Sequence, residues 1–125
     1  MKKIWNTNSA PAPIGPYSQA VSAGNMLFLS GQIAIDPLSG NLIQDSVEAE
    51  TRQVMANISA LLKEAGSSFD KVLKTSIFLM DMGDFPKVNE VYGSYFTGDF
   101  PARETVQVAG LPKGVRVEIS MIALI

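Results

Sequence analysis

The stretch Val115-Arg116-Val117-Glu118-Ile119-Ser120-Met121-Ile122-Ala123-Leu124-Ile125 alternates with a period of two, which is typical of a β-strand. One face of this strand is apolar and consists of Val117, Ile119, Met121, Ala123 and Ile125. The other face is mixed and consists of Arg116, Glu118, Ser120, Ile122 and Leu124. We expect helices over the apolar face, so this strand predicts a sheet that is covered on one side.

Turn signals and periodicity place the other elements around this strand. Further strands are predicted at 2–5, 17–23, 26–35, 71–80 and 103–108, and helices at 47–65 and 85–96. Gly24-Asn25 suits a hairpin turn between the second and third strands. Gly66 ends the first helix, whose apolar residues recur at steps of three and four. The order predicts one α+β domain over residues 1–125, a mixed sheet with two helices packed on one face.

The side of the sheet without helices, called the open face below, is half apolar. In the third strand, alternation assigns Leu27, Leu29, Ile33 and Ile35 to the core. The same alternation assigns to the open face Met26, Phe28, Ser30, Gln32 and Ala34. Charged residues make up only 18% of the chain, and a half-apolar face is rarely left in water. We therefore expect open faces to pack together in a closed homo-oligomer.

Composition excludes many kinds of chemistry. The chain has no cysteine and no histidine, which removes disulfides, thiolate catalysis, the Ser-His-Asp triad and nearly all zinc sites. A net charge of −2 predicts no strong nucleic-acid binding. No apolar run approaches the roughly 18 residues of a membrane span, and none follows the first lysines as in a secretory signal. We expect a cytoplasmic protein that uses neither a cofactor nor a membrane.

Arg103 and Glu118 are the main candidates for chemistry. If residues 103–108 and 115–125 form an antiparallel hairpin, a connection of four or six residues puts both candidates on the open face. The tighter connection places Thr105 opposite Glu118, with Arg103 diagonal to it at about 7–8 Å between Cα atoms. Val106 and Val108 then join the core, while Gln107 shares the open face with the candidates. The pair is either a structural salt bridge or a cleft wall. In a cleft, Arg103 would hold a carboxylate and Glu118 would orient or deprotonate a water.

Other polar residues are weaker candidates. Tyr17 follows a stiff segment with three prolines, Ser9 to Pro16, and is either a packing tyrosine or a pocket wall that donates a hydrogen bond. Ser30 has no histidine to activate it as a nucleophile. Gly31 interrupts its strand and predicts a bulge or a close backbone approach, with a backbone group aimed at a ligand. Asp81-Met82-Gly83-Asp84 precedes a helix and predicts capping rather than a metal site.

Six segments of the chain form an ordered set of motifs. They are Ile14-Gly15-Pro16-Tyr17-Ser18-Gln19-Ala20, Leu29-Ser30-Gly31-Gln32, Val88-Asn89-Glu90-Val91-Tyr92, Phe100-Pro101-Ala102-Arg103, and Leu111-Pro112-Lys113-Gly114 with Val117-Glu118-Ile119. The set resembles the RidA/YjgF family over nearly the whole chain. The resemblance implies a chorismate-mutase-like fold and a homotrimer, a trimeric barrel of sheets with clefts between subunits. It also implies cofactor-free hydrolysis of 2-aminoacrylate-like enamines and imines to 2-oxo acids and ammonia, as in a 2-iminobutanoate/2-iminopropanoate deaminase.

The resemblance also implies roles for individual residues. Arg103 would hold the substrate carboxylate and Glu118 the attacking water, with Tyr17 as a third catalytic residue. The remaining substrate-binding residues would be Thr105, Ser30, Gly31 and Asn89. The chain departs from the family at two positions. Thr105 stands where bacterial members often have cysteine, and Glu104 stands where a small or apolar residue is usual. By alternation we expect Glu104 to point away from Arg103.

Two other functions use the same residues. One is an endoribonuclease or translation inhibitor, an older description of the family that the acidic balance and the missing histidines argue against. The other is a non-catalytic module, either a carboxylate-ligand sensor or a chaperone-like binder. The sequence leaves open which imine is preferred and which pathway the protein serves.

Overall fold

The computed structural model describes residues 1–125, which form six strands and two α-helices in one sheet-and-helix unit. The strands are β1 (Lys3–Trp5), β2 (Ala20–Ala23), β3 (Met26–Leu29), β4 (Val72–Leu79), β5 (Ala102–Gln107) and β6 (Val117–Leu124). The helices are α1 (Val47–Glu64) and α2 (Phe85–Gly93). The predicted order of elements is confirmed, but β2, β3 and α2 are shorter than expected. No helix is long and apolar enough to cross a membrane.

β6 lies inside the sheet and is paired on both sides. The strand order is β1-β2-β3-β6-β4-β5, and β6 runs antiparallel to both β3 and β4. Val117, Ile119 and Ala123 are fully buried, and Met121 is nearly so. The period of two is therefore confirmed over β6. Ile125 lies beyond the end of the strand and is exposed, so its predicted place in the core is wrong.

The α1 helix covers the apolar side of β6. The side chain of Ser46 accepts a hydrogen bond from the Ala49 amide at 3.0 Å, which satisfies one of the free donors of the first turn. Gly66 follows the last turn with a φ of 75°, a left-handed conformation that favours glycine. The predicted apolar stripe is confirmed, since it is buried throughout and consists of Val47, Thr51, Val54, Met55, Ile58, Leu61 and Leu62.

The third strand ends earlier than its pattern predicts. After Leu29 the chain leaves the ladder and makes only an isolated bridge between Gln32 and Ile119. The alternation changes phase at this break, so Ala34 is fully buried in the core, while Ile33 and Ile35 are partly exposed. The predicted faces of Ala34, Ile33 and Ile35 are therefore wrong. A break of one residue exchanges the two faces of everything that follows.

β5 does not form a hairpin with β6, and that prediction is wrong. It runs parallel to β4 at the edge of the sheet, with Thr75 opposite Arg103 and Ile77 opposite Thr105. The β4-α2-β5 segment is a crossover unit, which delivers its second strand parallel to the first. Because β6 is already paired with β3 and β4, β5 joins the outer edge of β4 instead.

This change of partner inverts the predicted faces of β5. Thr75 and Ile77 are fully buried under the helices, so their partners Arg103 and Thr105 point to the helix side. Val106 pairs with Phe78 and is 42% exposed, so it lies on the open face and not in the core. Val108 lies beyond the end of β5 and is only partly buried.

An ion pair beneath α1 holds the start of β6. Glu50 is fully buried, and its carboxylate accepts hydrogen bonds from the backbone amide and the Nε of Arg116, both at 2.8 Å. Arg116 Nη2 also donates to the carbonyl of Gln44 at 3.1 Å. Alternation assigned Arg116 to the open face, which is wrong because its side chain turns back to the helix just before the strand begins.

The open face is half apolar, as predicted. Phe28 and Val106 are each 42% exposed, and Ile122 and Leu124 share the open face of β6 with Glu118 and Ser120. No helix covers these side chains. The closed homo-oligomer that would cover them stays a prediction.

Arg116→Met leaves the Glu50 carboxylate buried without its cation. We expect the free energy of unfolding at pH 7 to fall by about 3–5 kcal/mol, because an uncompensated buried charge is strongly destabilising. Urea unfolding of the two proteins measures the difference. The double variant Glu50→Gln/Arg116→Met buries no charge and is the matched control, which should recover most of the loss. A loss below about 1 kcal/mol in the single variant would contradict an anchoring role.

Candidate active site

Helix α2 holds the Arg103 guanidinium on the helix side of β5. Nη1 of Arg103 donates a hydrogen bond to Asn89 Oδ1 at 2.7 Å. The guanidinium carbon lies 5.3 Å from the ring centroid of Phe85 and 5.2 Å from that of Tyr92. Phe85, Asn89 and Tyr92 follow one another at steps of four and three, so they share one face of the helix. That face positions the arginine through two aromatic rings and one amide.

Tyr92 is a fixed and neutral part of this support. Its hydroxyl donates to Thr75 Oγ1 at 3.0 Å in the core between α2 and β4. Burial raises the pKa of the Tyr92 phenol, although the Thr75 hydrogen bond and the Arg103 charge act in the opposite direction. The phenol therefore stays protonated at neutral pH, and its ring remains available to the guanidinium.

The guanidinium borders a cavity of about 390 Å³. The cavity is lined by Asn89, Tyr92, Gly93, Phe100, Pro101 and Arg103. Arg103 is exposed and makes no salt bridge, so Asn89 is its only side-chain hydrogen-bond partner. The planar fork retains free N–H groups, which match the two oxygens of a carboxylate.

Thr105 and Glu104 take different sides of β5. The hydroxyl oxygen of Thr105 is buried on the Arg103 side and has no hydrogen-bond partner, which is unusual for a buried polar atom. Glu104 lies on the open face, where Lys74 Nζ is 3.0 Å away and Ser76 donates a hydrogen bond. These two partners lower the pKa of Glu104, the Ser76 bond first. The expectation that Glu104 points away from Arg103 is confirmed.

Glu118 lies in a second cavity, on the open side of the sheet. This cavity measures about 210 Å³, and its walls include Tyr17, Gly31 and Lys113 beside the carboxyl group. Glu118 is half-buried and forms no salt bridge. Burial raises the pKa of its carboxyl group above the ordinary value of 4.5. A carboxylate with a raised pKa is a better general base near neutral pH.

Gly31 allows the Glu118 carboxyl group to occupy its place. A Cβ on Gly31 would lie 2.5 Å from Glu118 Oε2 and 2.8 Å from Cδ, so any side chain would collide with the carboxyl group. The prediction of a close approach is confirmed, and its partner is a side chain rather than another backbone. Ser30 donates its hydroxyl to the Ser18 carbonyl at 2.5 Å, which ties this turn to the neighbouring segment.

Tyr17 stands at the rim of the same cavity. It is 50% exposed, and its ring packs 3.6 Å from the position that a Cβ on Gly15 would take. Its amide donates to the Gly15 carbonyl at 2.8 Å, which closes a tight turn. The tyrosine therefore shares a cavity with Glu118 and Gly31, while Ser30 adjoins it.

Arg103 and Glu118 do not share a cleft within one chain, and the predicted common wall is wrong. Glu118 pairs with Phe78, which pairs with Val106, so β4 separates the two strands and the two residues occupy opposite faces. We call the first group the arginine half-site: Asn89, Tyr92, Phe100, Arg103 and Thr105. We call the second group the glutamate half-site: Tyr17, Ser30, Gly31 and Glu118.

Gln19 adjoins the glutamate half-site, and the sequence analysis assigned it no role. It is 3% exposed and lines the Glu118 cavity. Its place in the motif Ile14–Ala20 was the only feature of the sequence that could have indicated a role.

No group of three or more carboxylates, histidines or cysteines could hold a metal ion. Asp81 accepts a hydrogen bond from the Gly83 amide at 2.8 Å, which confirms its capping role.

Comparison with known proteins decides the family. The family model described as Endoribonuclease L-PSP matches residues 7–125. The chain belongs to this family, the RidA/YjgF family. A 2-iminobutanoate/2-iminopropanoate deaminase of Mus musculus is 48% identical over 124 residues, covering 99% of this chain and 92% of that protein. A Lactococcus lactis protein named as a regulator, AldR, is 52% identical over 121 residues, covering 97% and 96%.

A solved structure agrees with the fold. Escherichia coli TdcF with bound serine superposes with a TM-score of 0.94 at 40% identity, covering 98% of each chain. The RidA/YjgF fold, a mixed sheet with two helices on one face, is therefore confirmed. The relatives carry different functional names, so family membership alone leaves the finer activity open.

Gly31→Ala should move the Glu118 carboxyl group away from its place against the backbone. We expect the pKa of Glu118 to fall toward 4.5, because the displaced carboxylate gains water. NMR titration of the side-chain carboxyl carbon measures it. Gly110→Ala is the matched control, since no atom would lie within 4 Å of its new Cβ. An unchanged Glu118 pKa in Gly31→Ala would refute the contact.

Proposed function

We propose that this protein is a cofactor-free hydrolase that converts reactive 2-imino and 2-enamino acids to 2-oxo acids and ammonia. The observation that carries the proposal is the Arg103 guanidinium, held by α2 with a free fork beside a cavity. A carboxylate is the common group of all these substrates, and Arg is the side chain best matched to it. The name of the mouse relative, a 2-iminobutanoate/2-iminopropanoate deaminase, supports the same reaction.

The ligand named for the TdcF structure supports the carboxylate assignment. Serine is an amino acid with a carboxylate beside a carbon that bears nitrogen, as in a 2-imino acid. A 2-imino acid bound through its carboxylate to Arg103 would place its C2 atom next to the guanidinium. Thr105, with its unpartnered hydroxyl on the same face, would provide a further hydrogen bond.

We infer that the complete site forms between two copies of the chain. One small substrate cannot contact Arg103 and Glu118 of the same chain, because the sheet lies between them. A homotrimer with three equivalent interfaces, a barrel of sheets, would cover the half-apolar open faces. At each interface, the arginine half-site of one subunit would meet the glutamate half-site of its neighbour.

The assembled site needs little chemistry beyond placement. Glu118 would accept a proton from a water molecule as that water attacks C2 of the imine. The addition gives a carbon that bears both hydroxyl and amino groups. Protonation of its nitrogen and loss of ammonia then leave the 2-oxo acid. An enamine first takes a proton on carbon and becomes the imine. Imines hydrolyse unaided in water, so orientation and one base account for the acceleration.

The remaining site residues would support these steps. Tyr17 would close the cavity and donate a hydrogen bond to the bound acid, while Ser30 and Gly31 shape the space around Glu118. Asn89 already binds Arg103, so it would act on the substrate by orienting the guanidinium. No metal or cofactor enters this scheme.

Arg103→Ala should abolish the activity. We expect kcat/KM for imine hydrolysis to fall at least about 100-fold, and Arg103→Lys to recover only part, because an ammonium group lacks the planar fork. A dehydratase that generates imines from several amino acids, coupled to timed 2-oxo acid release, measures the rates and identifies the preferred imine. A wild-type rate in Arg103→Ala would reject the proposal.

Mixed oligomers test the shared site. Arg103→Ala and Glu118→Ala should each be inactive alone, yet an equal mixture refolded together should recover activity in about one quarter of its interfaces. The same proteins mixed without unfolding and without subunit exchange are the control. No recovery after proven co-assembly would show that both residues act from one subunit, contrary to the proposal.

The family description favours one alternative, an endoribonuclease. The sequence argues against an endoribonuclease, because the net charge is −2 and the chain has no histidine. RNA cleavage that survives repurification and disappears in Arg103→Ala would support it. Tight binding of 2-oxo acids without any imine turnover would instead favour a sensor.

A further inference from the structure

One wall of the glutamate half-site consists of chain without regular secondary structure. Between Trp5 and Ala20 the chain forms no strand and no helix, and it carries three prolines that have no N–H to donate. Three residues of this segment line the Glu118 cavity before Tyr17: Pro11, Ala12 and Ile14. Ladder hydrogen bonds therefore do not hold the wall in place.

A single buried side chain holds it instead. Oε1 of Gln19 accepts a hydrogen bond from the Thr7 amide at 2.7 Å. Nε2 of Gln19 faces three carbonyls, those of Thr7 at 3.0 Å, Ala10 at 3.2 Å and Pro11 at 2.9 Å. Gln19 is 3% exposed, so these bonds are shielded from water. A buried amide with all its groups satisfied specifies one position for the backbone around it.

Gln19 also connects the wall to the turn that contains Ser30. Its backbone carbonyl accepts a hydrogen bond from the Ser30 amide at 3.0 Å. The β1–β2 ladder, which includes the pairing of Trp5 with Ala20, holds the chain before the segment independently of the Gln19 side chain. Loss of the amide should therefore release the segment without dissolving the sheet.

We propose that Gln19 is a positioning residue that shapes the subsite for the substrate's side chain. This inference rests on the proposed function. With the carboxylate on Arg103 of a neighbouring copy and C2 near Glu118, the substituent on C2 would enter the cavity beside Glu118. The apolar lining there includes Pro11 and Ile14 of the segment that Gln19 holds, together with Ile33 and Ile35 of a separate segment. The Gln19 hydrogen bonds therefore fix one part of the apolar lining.

The test compares two substrates that differ only in side-chain size. Gln19→Glu keeps the shape but turns a carboxylate toward three carbonyls, and Gln19→Met removes the hydrogen bonds without adding charge. We expect kcat/KM for the imine of leucine to fall about tenfold relative to that for the imine of alanine, while the latter changes less than about threefold. Hydrogen exchange should show faster exchange at the Thr7 amide.

Ser22→Ala is the matched control. Ser22 is a buried polar residue of β2, the strand that begins directly after Gln19. Its Oγ accepts a hydrogen bond from Trp5 Nε1 at 2.9 Å, and it does not line the Glu118 cavity. It should lower stability and leave the ratio of the two substrates unchanged. An equal loss for both substrates in the Gln19 variants, or a released segment with an unchanged ratio, would overturn the proposal.

The proposed function can fail separately. If the wild type hydrolyses neither imine, the deaminase proposal is rejected, and calorimetry with pyruvate and 4-methyl-2-oxopentanoate then tests the subsite alone. If the wild type binds the larger 2-oxo acid more tightly and the Gln19 variants lose this preference, the subsite proposal is still supported. Equal affinities in the wild type and both variants, or no binding of either acid by the wild type, would reject it as well.

Discussion

The pairing of β6 on both of its edges is the constraint from which the arrangement of the site follows. β3 and β4 occupy its two edges, so the strand that arrives through the α2 crossover cannot pair with β6 and joins the outer side of β4. That placement turns Arg103 toward the helices and leaves Glu118 on the open face. The two groups proposed to act on the substrate are thus separated by the sheet itself.

Each half-site is preorganised by a different physical means. On the helix side, the rings of Phe85 and Tyr92 and the amide of Asn89 support a cation without neutralising it. On the open side, partial burial raises the pKa of Glu118, which forms no salt bridge, and keeps its carboxyl group available for a proton. In the proposed reaction, Arg103 must keep its charge free for the substrate carboxylate and Glu118 must act as a base near neutral pH. A direct salt bridge between them would impair both roles.

Buried polar side chains fasten the irregular parts of the chain to the sheet. Besides Gln19, Asn57 of α1 donates to the carbonyls of Ile33 at 3.1 Å and Ile35 at 3.0 Å, and Glu50 holds Arg116. Each of these buried side chains forms hydrogen bonds to backbone groups that are not paired in the sheet, and these bonds compensate the cost of its burial. Asn57 of α1 consequently holds the part of the Glu118 cavity wall near Ile33 and Ile35, and Gln19 holds the part formed by the segment before β2.

The helices and strands could be predicted from the sequence, because local signals decide them. The alternation of β6, the stripe and cap of α1, the Gly24-Asn25 turn and the order of strands and helices follow from period, propensity and turn chemistry, and the quoted motifs indicated the family. Strand partners depend on which edges remain free after the whole chain has folded, and no local pattern encodes that. Only the tertiary contacts therefore show that β5 pairs with β4 and that the alternation of buried and exposed residues changes phase after Leu29. They also place Arg103 and Glu118 on opposite faces of the sheet.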